Sequence, residues 1–233
     1  MKWQAVPPTA SRITQDTMPQ PAPSPRTRAR RLHDKATYDR AVIDAILDAM
    51  PVAHVGHIVD GFPVVTPTLQ WREGDRIYWH GSSASRMQKR ASGAQVCLTV
   101  TLLDGMVLAR SGLEHSVNYR SVMVFGEADL VEGAEAKEAH LRRMMEQMFP
   151  GRWEALRPIT AQELKATRIL SLPLSEASAK ISAGPPSDPP EDRPWPVWAG
   201  VIPIRLTVGE PEPASDLAPG LLTPEHARDY RIR

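Results

Sequence analysis

The chain has 233 residues, of which 42% are hydrophobic and 24% are charged, and this fits one globular domain with extensions or one domain with a small appendage. The 28 Lys and Arg residues nearly balance the 27 Asp and Glu residues, so the net charge of +1 gives no indication of a nucleic-acid partner. The single cysteine, Cys97, excludes an intramolecular disulfide and favours a cytoplasmic location.

No apolar stretch approaches the roughly 18 to 20 residues that a membrane-spanning helix needs. The N-terminus also lacks the continuous apolar core of an export signal. We therefore expect a cytoplasmic protein with no membrane partner, and we interpret Cys97 as a small core residue because its neighbours are apolar and strand-like.

Composition divides the chain into an arm, a domain and a tail. Residues 1–35 are rich in proline and arginine and offer too little apolar surface to offset the cost of ordering, so we predict a flexible arm. The domain is predicted over residues 36–208, with a proline-rich extended connection at 184–196. Residues 209–233 are predicted to be a C-terminal tail.

The first regular element is predicted to be a helix over residues 37–50. Thr37 stands at its N-cap position, and Pro51 ends it. Four apolar residues recur at helical spacing on one face of this segment: Val42, Ala45, Ile46 and Ala49.

After this helix the apolar pattern becomes that of short strands. Residues 52–58, 62–71 and 76–80 have strand composition, and the segments 60–61 and 72–75 between them have the turn chemistry of hairpins. These features predict an antiparallel meander of three strands.

The rest of the chain mixes helices with strands. Helices are predicted over residues 84–92, 133–149 and 160–167. Strands are predicted over residues 95–103, 106–110, 119–131, 168–174 and 200–206. Asp104-Gly105 is interpreted as a hairpin turn. The methionines of the helix over residues 133–149 are interpreted as core packing. The fold class is mainly β with inserted helices, which the residues themselves indicate to be a small antiparallel β-barrel.

The segment from Asp75 to Arg90 has the chemistry of an anion site. Its strand runs directly into Gly81 and several serines, and Arg86 then opens a helix with a basic first turn. Backbone amides at a helix start, hydroxyls and an arginine together bind phosphate well. The same pattern also occurs as helix capping alone, so both interpretations stay open on local chemistry.

Flat and polar side chains flank this segment. Thr66, Pro67 and Thr68 lie on the preceding strand and offer hydroxyls and carbonyls, while Trp79 and His80 bring rings to the strand end. A phosphorylated heterocycle is the class of ligand that such a combination suits.

Three stretches resemble the pyridoxamine 5'-phosphate oxidase-like flavin-nucleotide-binding proteins, in the branch that includes the nitroimidazole-resistance proteins. They are RIYWHGSSASRMQK, QVCLTVTLLDGMVLARSGLEHSVNYRSVMVFGEADLV and VWAGVIPI. The similarity runs from about Tyr38 to Leu206, and its most distinctive block surrounds residues 118–121. The resemblance implies a split β-barrel that binds FMN, in a homodimer with the flavin near the subunit interface.

The resemblance also implies roles for single residues. Ser85 and Arg86 match the phosphate contacts, with Ser82 and Ser83 as helpers, and the strand at 66–68 lies along the isoalloxazine. The full predicted set of cofactor contacts is Thr66, Pro67, Thr68, Trp79, His80, Gly81, Ser82, Ser85, Arg86, Asn118, Tyr119, Arg120, Ser121 and Trp198.

Two of these residues carry alternatives. His80 either contacts substrate, which would make it the catalytic residue, or only positions the strand end. Arg120 either helps to close the site or pairs with Glu127 or Glu114.

One motif of the pyridoxamine phosphate oxidases is not reproduced. Those enzymes carry Arg-Leu-His-Asp-Arg near the C-terminus to hold the substrate phosphate, whereas the nearest string here, residues 31–35, lies at the opposite end. We take that string as coincidence and do not expect vitamin B6 oxidation.

Three hypotheses on function follow. The first is an FMN-dependent oxidoreductase that passes electrons from a reduced donor, such as a nicotinamide, to a small organic acceptor or oxygen. The second is a flavin-binding carrier or sensor without turnover. The third is haem binding on the same fold with His54, His57 or His80 as axial ligand, which leaves the serine and arginine pair unexplained. No separate metal site is predicted.

Overall fold

The computed structural model of the protein describes residues 20–232. They form two compact units. Unit 1 contains residues 20–47, Thr99–Val124 and Ser175–Arg205, and unit 2 contains Asp48–Leu98, Phe125–Leu174 and residues 206–232. The first 19 residues of the predicted arm lie outside the described residues.

Strands are the main regular elements of residues 20–232, as predicted. The strands are β1 (Ala36–Thr37), β2 (Val52–Val59), β3 (Phe62–Glu73), β4 (Arg76–Ser82), β5 (Gln95–Leu108), β6 (Ser116–Glu127), β7 (Asp129–Leu130), β8 (Thr167–Pro173), β9 (Ala177–Ser182) and β10 (Gly200–Pro203). The helices are α1 (Arg40–Asp48), α2 (Arg86–Ala91), α3 (Ala134–Met148), α4 (Arg152–Ala155), α5 (Ala161–Ala166) and α6 (Glu225–Arg228).

Unit 1 pairs its strands in the order β1-β9-β6-β5, and β10 pairs with β5. Helix α1 buries Val42, Ile43, Ile46 and Leu47. The predicted cap was wrong, because Thr37 belongs to β1 and pairs with Ala179, while the Asp39 carboxylate accepts a hydrogen bond from the Ala41 amide at 2.8 Å. A carboxylate at this position satisfies one of the free amides of the first turn.

Part of the predicted arm belongs to unit 1 and packs within it. Thr27 is buried, and the Tyr38 hydroxyl donates to its carbonyl at 3.3 Å. Arg26 forms an ion pair with Glu176. The sequence offered no apolar pattern for these contacts, because they are made by single polar groups.

The predicted hairpin at Asp104-Gly105 was wrong. Strand β5 runs straight through both residues, and Gly105 pairs with Pro203 of β10. A Cβ at Gly105 would lie 3.0 Å from both the Ile202 carbonyl oxygen and the Val201 Cγ1. The glycine therefore permits close approach of two strands, which in sequence looks the same as a turn.

The proline-rich connection of unit 1 is held at two places. The Asn118 side-chain amide donates to the Gly184 carbonyl at 3.0 Å. The carboxylate of Asp188, which is buried, accepts from the Arg110 backbone amide at 2.7 Å and from its guanidinium at 2.6 Å. These hydrogen bonds from Arg110 lower the pKa of Asp188.

Unit 2 pairs its strands in the order β5-β2-β3-β4-β8-β7. The predicted meander is confirmed as β2, β3 and β4, with antiparallel pairing. The turn between β2 and β3 uses Asp60 and Gly61, whose φ angles of 51° and 85° are those that an Asp-Gly hairpin turn requires.

Helix α3 packs on β3 and β4 within unit 2. Its Leu141 and Met144 form a core cluster with Trp71, Tyr78 and other apolar residues, and Met145 and Met148 pack against that cluster. The prediction that these methionines are core residues is confirmed. Helix α5 follows, and Thr160 and Glu163 form a capping box at its start.

Two further sequence predictions bear on the surroundings of the protein. Among residues 20–232, no helix is long and apolar enough to cross a membrane. Cys97 is only partly buried, and its partial burial raises the pKa of the thiol. It is therefore less of a core residue than its apolar neighbours predicted.

Candidate functional site

The predicted anion site lies in unit 2, where β4 ends and α2 begins. Ser85 occupies the N-cap position, but its side chain makes no capping hydrogen bond, whereas the Ser82 hydroxyl accepts from the Ala84 amide at 3.2 Å. Helix α2 has only six residues, so its dipole is small. Anion binding would therefore depend on the serine hydroxyls and on nearby cations.

The cations around this segment differ in their engagement. Arg90 forms an ion pair with Asp60 at 3.0 Å. Arg86 is exposed and forms no hydrogen bond or ion pair with another residue of the described range. Arg86 is thus available for an anionic ligand. The charge of Arg90 is already balanced by Asp60, so Arg90 serves as a control for Arg86.

Two residues beside this segment were missed by the sequence analysis. Arg168 pairs across from Gly81, and its guanidinium lies 3.4 Å from the Gln88 carbonyl. Gln88 is buried, and a Cβ at Gly81 would lie 2.6 Å from its Nε2 atom. The position of Arg168 depends on the pairing of β4 with β8, which are separated by more than 80 residues, so no local motif indicates it. Gln88 is close in sequence, but its burial inside the fold is not visible in the local pattern.

Several buried polar atoms of this region have no hydrogen-bond partner within the described part of the chain. They are the Trp79 Nε1, the His80 Nδ1 and the Gln88 Oε1. Such atoms are rare in folded proteins and mark places where a bound molecule or water completes the hydrogen bonding. The region where β4 ends therefore fits a polar ligand.

The predicted ligand contacts on β3 and β4 divide between two faces of the sheet. Side chains alternate along a strand, and Gln70 lies directly opposite Trp79. Thr66 and Thr68 consequently share a face with Trp79, whereas Pro67 and His80 point to the other face. One planar ligand lying on one face can meet only one of these two sets of side chains.

The ring of His80 lies 6.0 Å from that of Trp71, measured between centroids. Burial lowers the pKa of His80 because a charged imidazolium loses hydration there. The imidazole is therefore neutral at physiological pH. It can donate one hydrogen bond and accept another without adding charge to the site.

The predicted contacts in unit 1 make internal hydrogen bonds. Arg120 donates to both oxygens of Asp104, at 2.9 and 2.7 Å, and this raises the pKa of Arg120. Its partner is thus neither Glu127 nor Glu114, as the sequence suggested, because β5 continues and brings Asp104 beside β6. The Ser121 hydroxyl lies 3.5 Å from the Lys180 carbonyl. Trp198 is exposed, and Tyr119 is half-buried.

An exposed apolar surface lies on the β2–β3 hairpin of unit 2. The register pairs Val52 with Leu69, His54 with Pro67 and Ile58 with Pro63, so these side chains share one face with Val65. All of them are exposed, Ile58 to 61% and Val65 to 64%. We call this surface the open face; it consists of Val52, His54, Ile58, Pro63, Val65, Pro67 and Leu69.

The opposite face of β2 is buried. It presents Ala53, Val55, His57 and Val59. His57 is only 5% exposed, and neither of its ring nitrogens has a hydrogen-bond partner among residues 20–232. Burial lowers the pKa of His57, so this side chain is held neutral.

Comparison with known proteins identifies relatives of this chain. A family model described as pyridoxamine 5'-phosphate oxidase matches residues 39–181. The flavocytochrome Anf3 from Azotobacter vinelandii has 50% identity and a TM-score of 0.88, with 90% of this chain and 98% of that chain covered. The FAD and heme binding protein from Mycobacterium smegmatis has 38% identity and a TM-score of 0.79, with 83% and 96% covered.

A more distant match supports the fold alone. It is a candidate 5-nitroimidazole antibiotic resistance protein from Bacteroides thetaiotaomicron VPI-5482, with 21% identity, a TM-score of 0.51, and 63% of this chain and 86% of that chain covered. No curated protein matches this chain. The predicted fold class, mainly antiparallel β with inserted helices in the split-barrel type, is confirmed. The chain belongs to the pyridoxamine 5'-phosphate oxidase-like family.

Proposed function

We propose that this protein is a redox protein that binds a flavin and a haem. The observation that carries the proposal is the identity of 50% over 90% of the chain with a flavocytochrome, together with 38% identity to a protein described as binding FAD and heme. The haem hypothesis therefore joins the flavin hypothesis instead of competing with it.

The region where β4 meets α2 supports the flavin half of the proposal. Considering residues 20–232 alone, it offers the unpaired guanidinium of Arg86, the Ser85 hydroxyl, which makes no capping hydrogen bond, and buried polar atoms without partners. A flavin nucleotide has a phosphate that such cations and hydroxyls bind and a ring that can meet the polar groups on one of the two faces of the sheet. FAD is the flavin we propose because the relative from M. smegmatis is described with it. FMN, the prediction from the sequence, carries the same first phosphate.

The two cofactors would supply the redox chemistry. A flavin takes up electron pairs from donors such as nicotinamides, and a haem iron exchanges electrons one at a time. We propose dioxygen or a small organic molecule as the acceptor. The protein supplies binding and orientation. We propose that the neutral imidazole of His80 lies beside the flavin and holds a proton there through a hydrogen bond.

We also propose a homodimer. Trp195 and Trp198 of unit 1 are 67% and 64% exposed, and Ile202 of β10 is exposed nearby in sequence. Exposed aromatic side chains in such a short segment are a feature of surfaces that another chain covers. Light scattering at micromolar concentration should give twice the monomer mass, and a monomer with its cofactors bound would contradict this.

Purification followed by spectroscopy tests the proposed cofactors. We expect flavin bands and a haem Soret band in the purified protein, or after titration with FAD and haemin, and mass spectrometry of the released ligand identifies the flavin. Reduction by a nicotinamide and reoxidation by an acceptor would support turnover. A flavin that is bound but never reoxidised would favour the alternative of a carrier or sensor.

A pair of variants tests the anion site. Arg86→Ala should weaken flavin nucleotide binding about tenfold or more, the loss expected for a charged hydrogen-bonded group. Arg90→Ala is the matched control, because its cation is paired with Asp60, and it should bind within twofold of the wild type. Equal losses of flavin affinity in both variants would contradict a specific role for Arg86 and would indicate only a general effect of positive charge.

A further inference from the structure

We propose that the open face of the β2–β3 hairpin is the haem-binding surface and that His54 would hold the iron. This inference rests on the proposed binding of haem and adds the surface and the ligand. The comparisons assign neither, and the sequence left three histidines as alternatives.

The surroundings of His54 fit a haem. Its side chain is exposed, lies directly opposite Pro67 and makes no hydrogen bond with another residue of the described range. Val52 and Ile58 share its face on β2, and Val65 and Leu69 share it on β3. A neutral imidazole with a free nitrogen is a common ligand of haem iron, and the flat porphyrin needs apolar surface around that nitrogen.

The composition of the open face favours a cofactor of this kind. Of its seven side chains, His54 is the one that carries a polar group, and the other six are aliphatic or proline. A water-exposed apolar surface of this extent costs free energy unless something covers it. A porphyrin covers apolar side chains with its ring and uses the single imidazole as its metal ligand.

The other two histidines fit less well. Both ring nitrogens of His57 are enclosed by protein atoms, so an iron atom has no access to either. His80 has its Nδ1 enclosed as well, and its ring lies beside Trp71 in the part of the sheet that α3 covers. His54 is therefore the histidine among the three whose ring is accessible on an uncovered apolar surface.

Spectroscopy of histidine variants tests the assignment. His54→Ala should lose at least tenfold in haem affinity on titration with haemin, or show a shifted Soret band, while the flavin content stays at the wild-type level. In His54→Gly, added imidazole should restore the wild-type Soret position, because the free ligand can occupy the space of the lost side chain. His115→Ala, an exposed histidine of unit 1, is the matched control and should leave the spectrum unchanged.

The outcomes separate this inference from the proposed function. A wild-type protein that binds flavin but shows no Soret band with haemin would overturn the haem proposal itself. A wild-type protein that binds haem, with an unchanged spectrum in His54→Ala, would overturn the His54 assignment alone. Loss of the haem band in His80→Ala and not in His54→Ala would also overturn it.

A second variant tests the surface separately from the ligand. Val65→Asp adds a charge to the open face without touching a histidine, and we expect at least a tenfold loss of haem affinity with flavin binding retained. If the variant instead dissociates the protein into monomers and keeps the haem spectrum intact, the open face is a contact between two copies of the chain, and the inference is wrong.

Discussion

One face of strand β3 has two halves with different surroundings. Trp71, in the second half, is 2% exposed, and the Glu73 side chain beyond it is largely buried, because helix α3 packs over them. Val65 and Leu69, in the first half, are exposed on the same face. The strand and its alternation are the same in both halves. The covered half uses its side chains to hold the fold together, and the open half leaves apolar side chains available for a ligand.

On the covered half, the carboxylate of Glu73 is engaged by three neighbouring side chains. The Glu73 carboxylate accepts from Trp71 Nε1 at 2.8 Å, from His140 Nδ1 at 2.9 Å and from Arg143 at 2.7 Å. Burial alone would raise the pKa of Glu73, but the hydrogen bonds from His140, Arg143 and Trp71 together lower it. On the open face, the side chain of His54 on β2 has no such hydrogen-bond partner among the described residues.

The largest expected contrast is in stability. Trp71→Ala should cost about 3 to 5 kcal/mol of unfolding free energy, because it removes a large buried side chain and leaves a cavity. Val65→Ser should change it by less than about 0.5 kcal/mol, because the residue is exposed. Chemical denaturation without added haem measures both. Equal losses would show that the two halves of the face do not differ in their structural role.

Glu73→Ala should lower the free energy of unfolding by about 2 kcal/mol, because the Trp71 indole would lose its hydrogen-bond acceptor inside the protein. Arg143→Ala is the control: its guanidinium is exposed, so its loss should destabilise the protein much less than the loss of Glu73 does. Thermal unfolding of both variants checks this difference. A loss in Arg143→Ala as large as that in Glu73→Ala would assign the stability to the surface ion pair.

The same carboxylate gives a pH dependence with a definite sign. The pKa of Glu73 is lower in the folded protein than in the unfolded chain, so its contribution is complete above the unfolded value of about 4.3 and is lost as the pH falls through the folded value. Between pH 6 and pH 3, Glu73→Ala should therefore lose less stability than the wild type does. A parallel loss in the two proteins would contradict this.

His80 lies where the covered half of the sheet meets the strand end. If it contacts substrate, His80→Ala should retain flavin and its melting temperature within a few degrees, while reduction or reoxidation slows at least tenfold, about 1.4 kcal/mol of barrier. A variant that loses flavin or unfolds would support a positioning role instead. Stopped-flow kinetics, with flavin content as the control, distinguishes the two.

The smallest effect is expected at His57, on the buried face of the same hairpin. Leucine has a similar size and no unpartnered nitrogens, so His57→Leu should be within about 1 kcal/mol of the wild type at pH 8, or above it. The lowered pKa of His57 means that the wild type loses stability as the pH falls below the unfolded value of about 6.5. Between pH 7 and pH 5.5 the variant should lose less unfolding free energy than the wild type. Identical dependences of stability on pH in the two proteins would show that His57 is not held neutral by the fold.

Local chemistry predicted the elements around the site well and the contacts between them poorly. Asp60-Gly61 and Asp104-Gly105 are the same dipeptide, yet the first makes a hairpin turn and the second lies inside β5. The difference depends on β10, about 100 residues further on, whose close approach requires the second glycine. Pairing over such distances has no local pattern in one sequence.

The site shows the same division. The order from strand to serines to Arg86 was predicted from neighbouring residues, and β4 and α2 confirm the local structure. Arg168 and Gln88 were missed, because β8 brings the first and a buried packing position hides the second. That Thr66 and Thr68 face away from Pro67 follows from strand alternation, so the sequence contained that information.

The two contacts that hold the proline-rich connection turn it into a spacer of fixed length. Gly184 is held by Asn118, and Asp188 by Arg110, so the residues between them must span one set distance. One residue added between Gly184 and Asp188 would break one of the two contacts, whereas loops without such contacts tolerate added residues. Over this segment, changes in chain length should therefore be far rarer in natural relatives than changes in residue type.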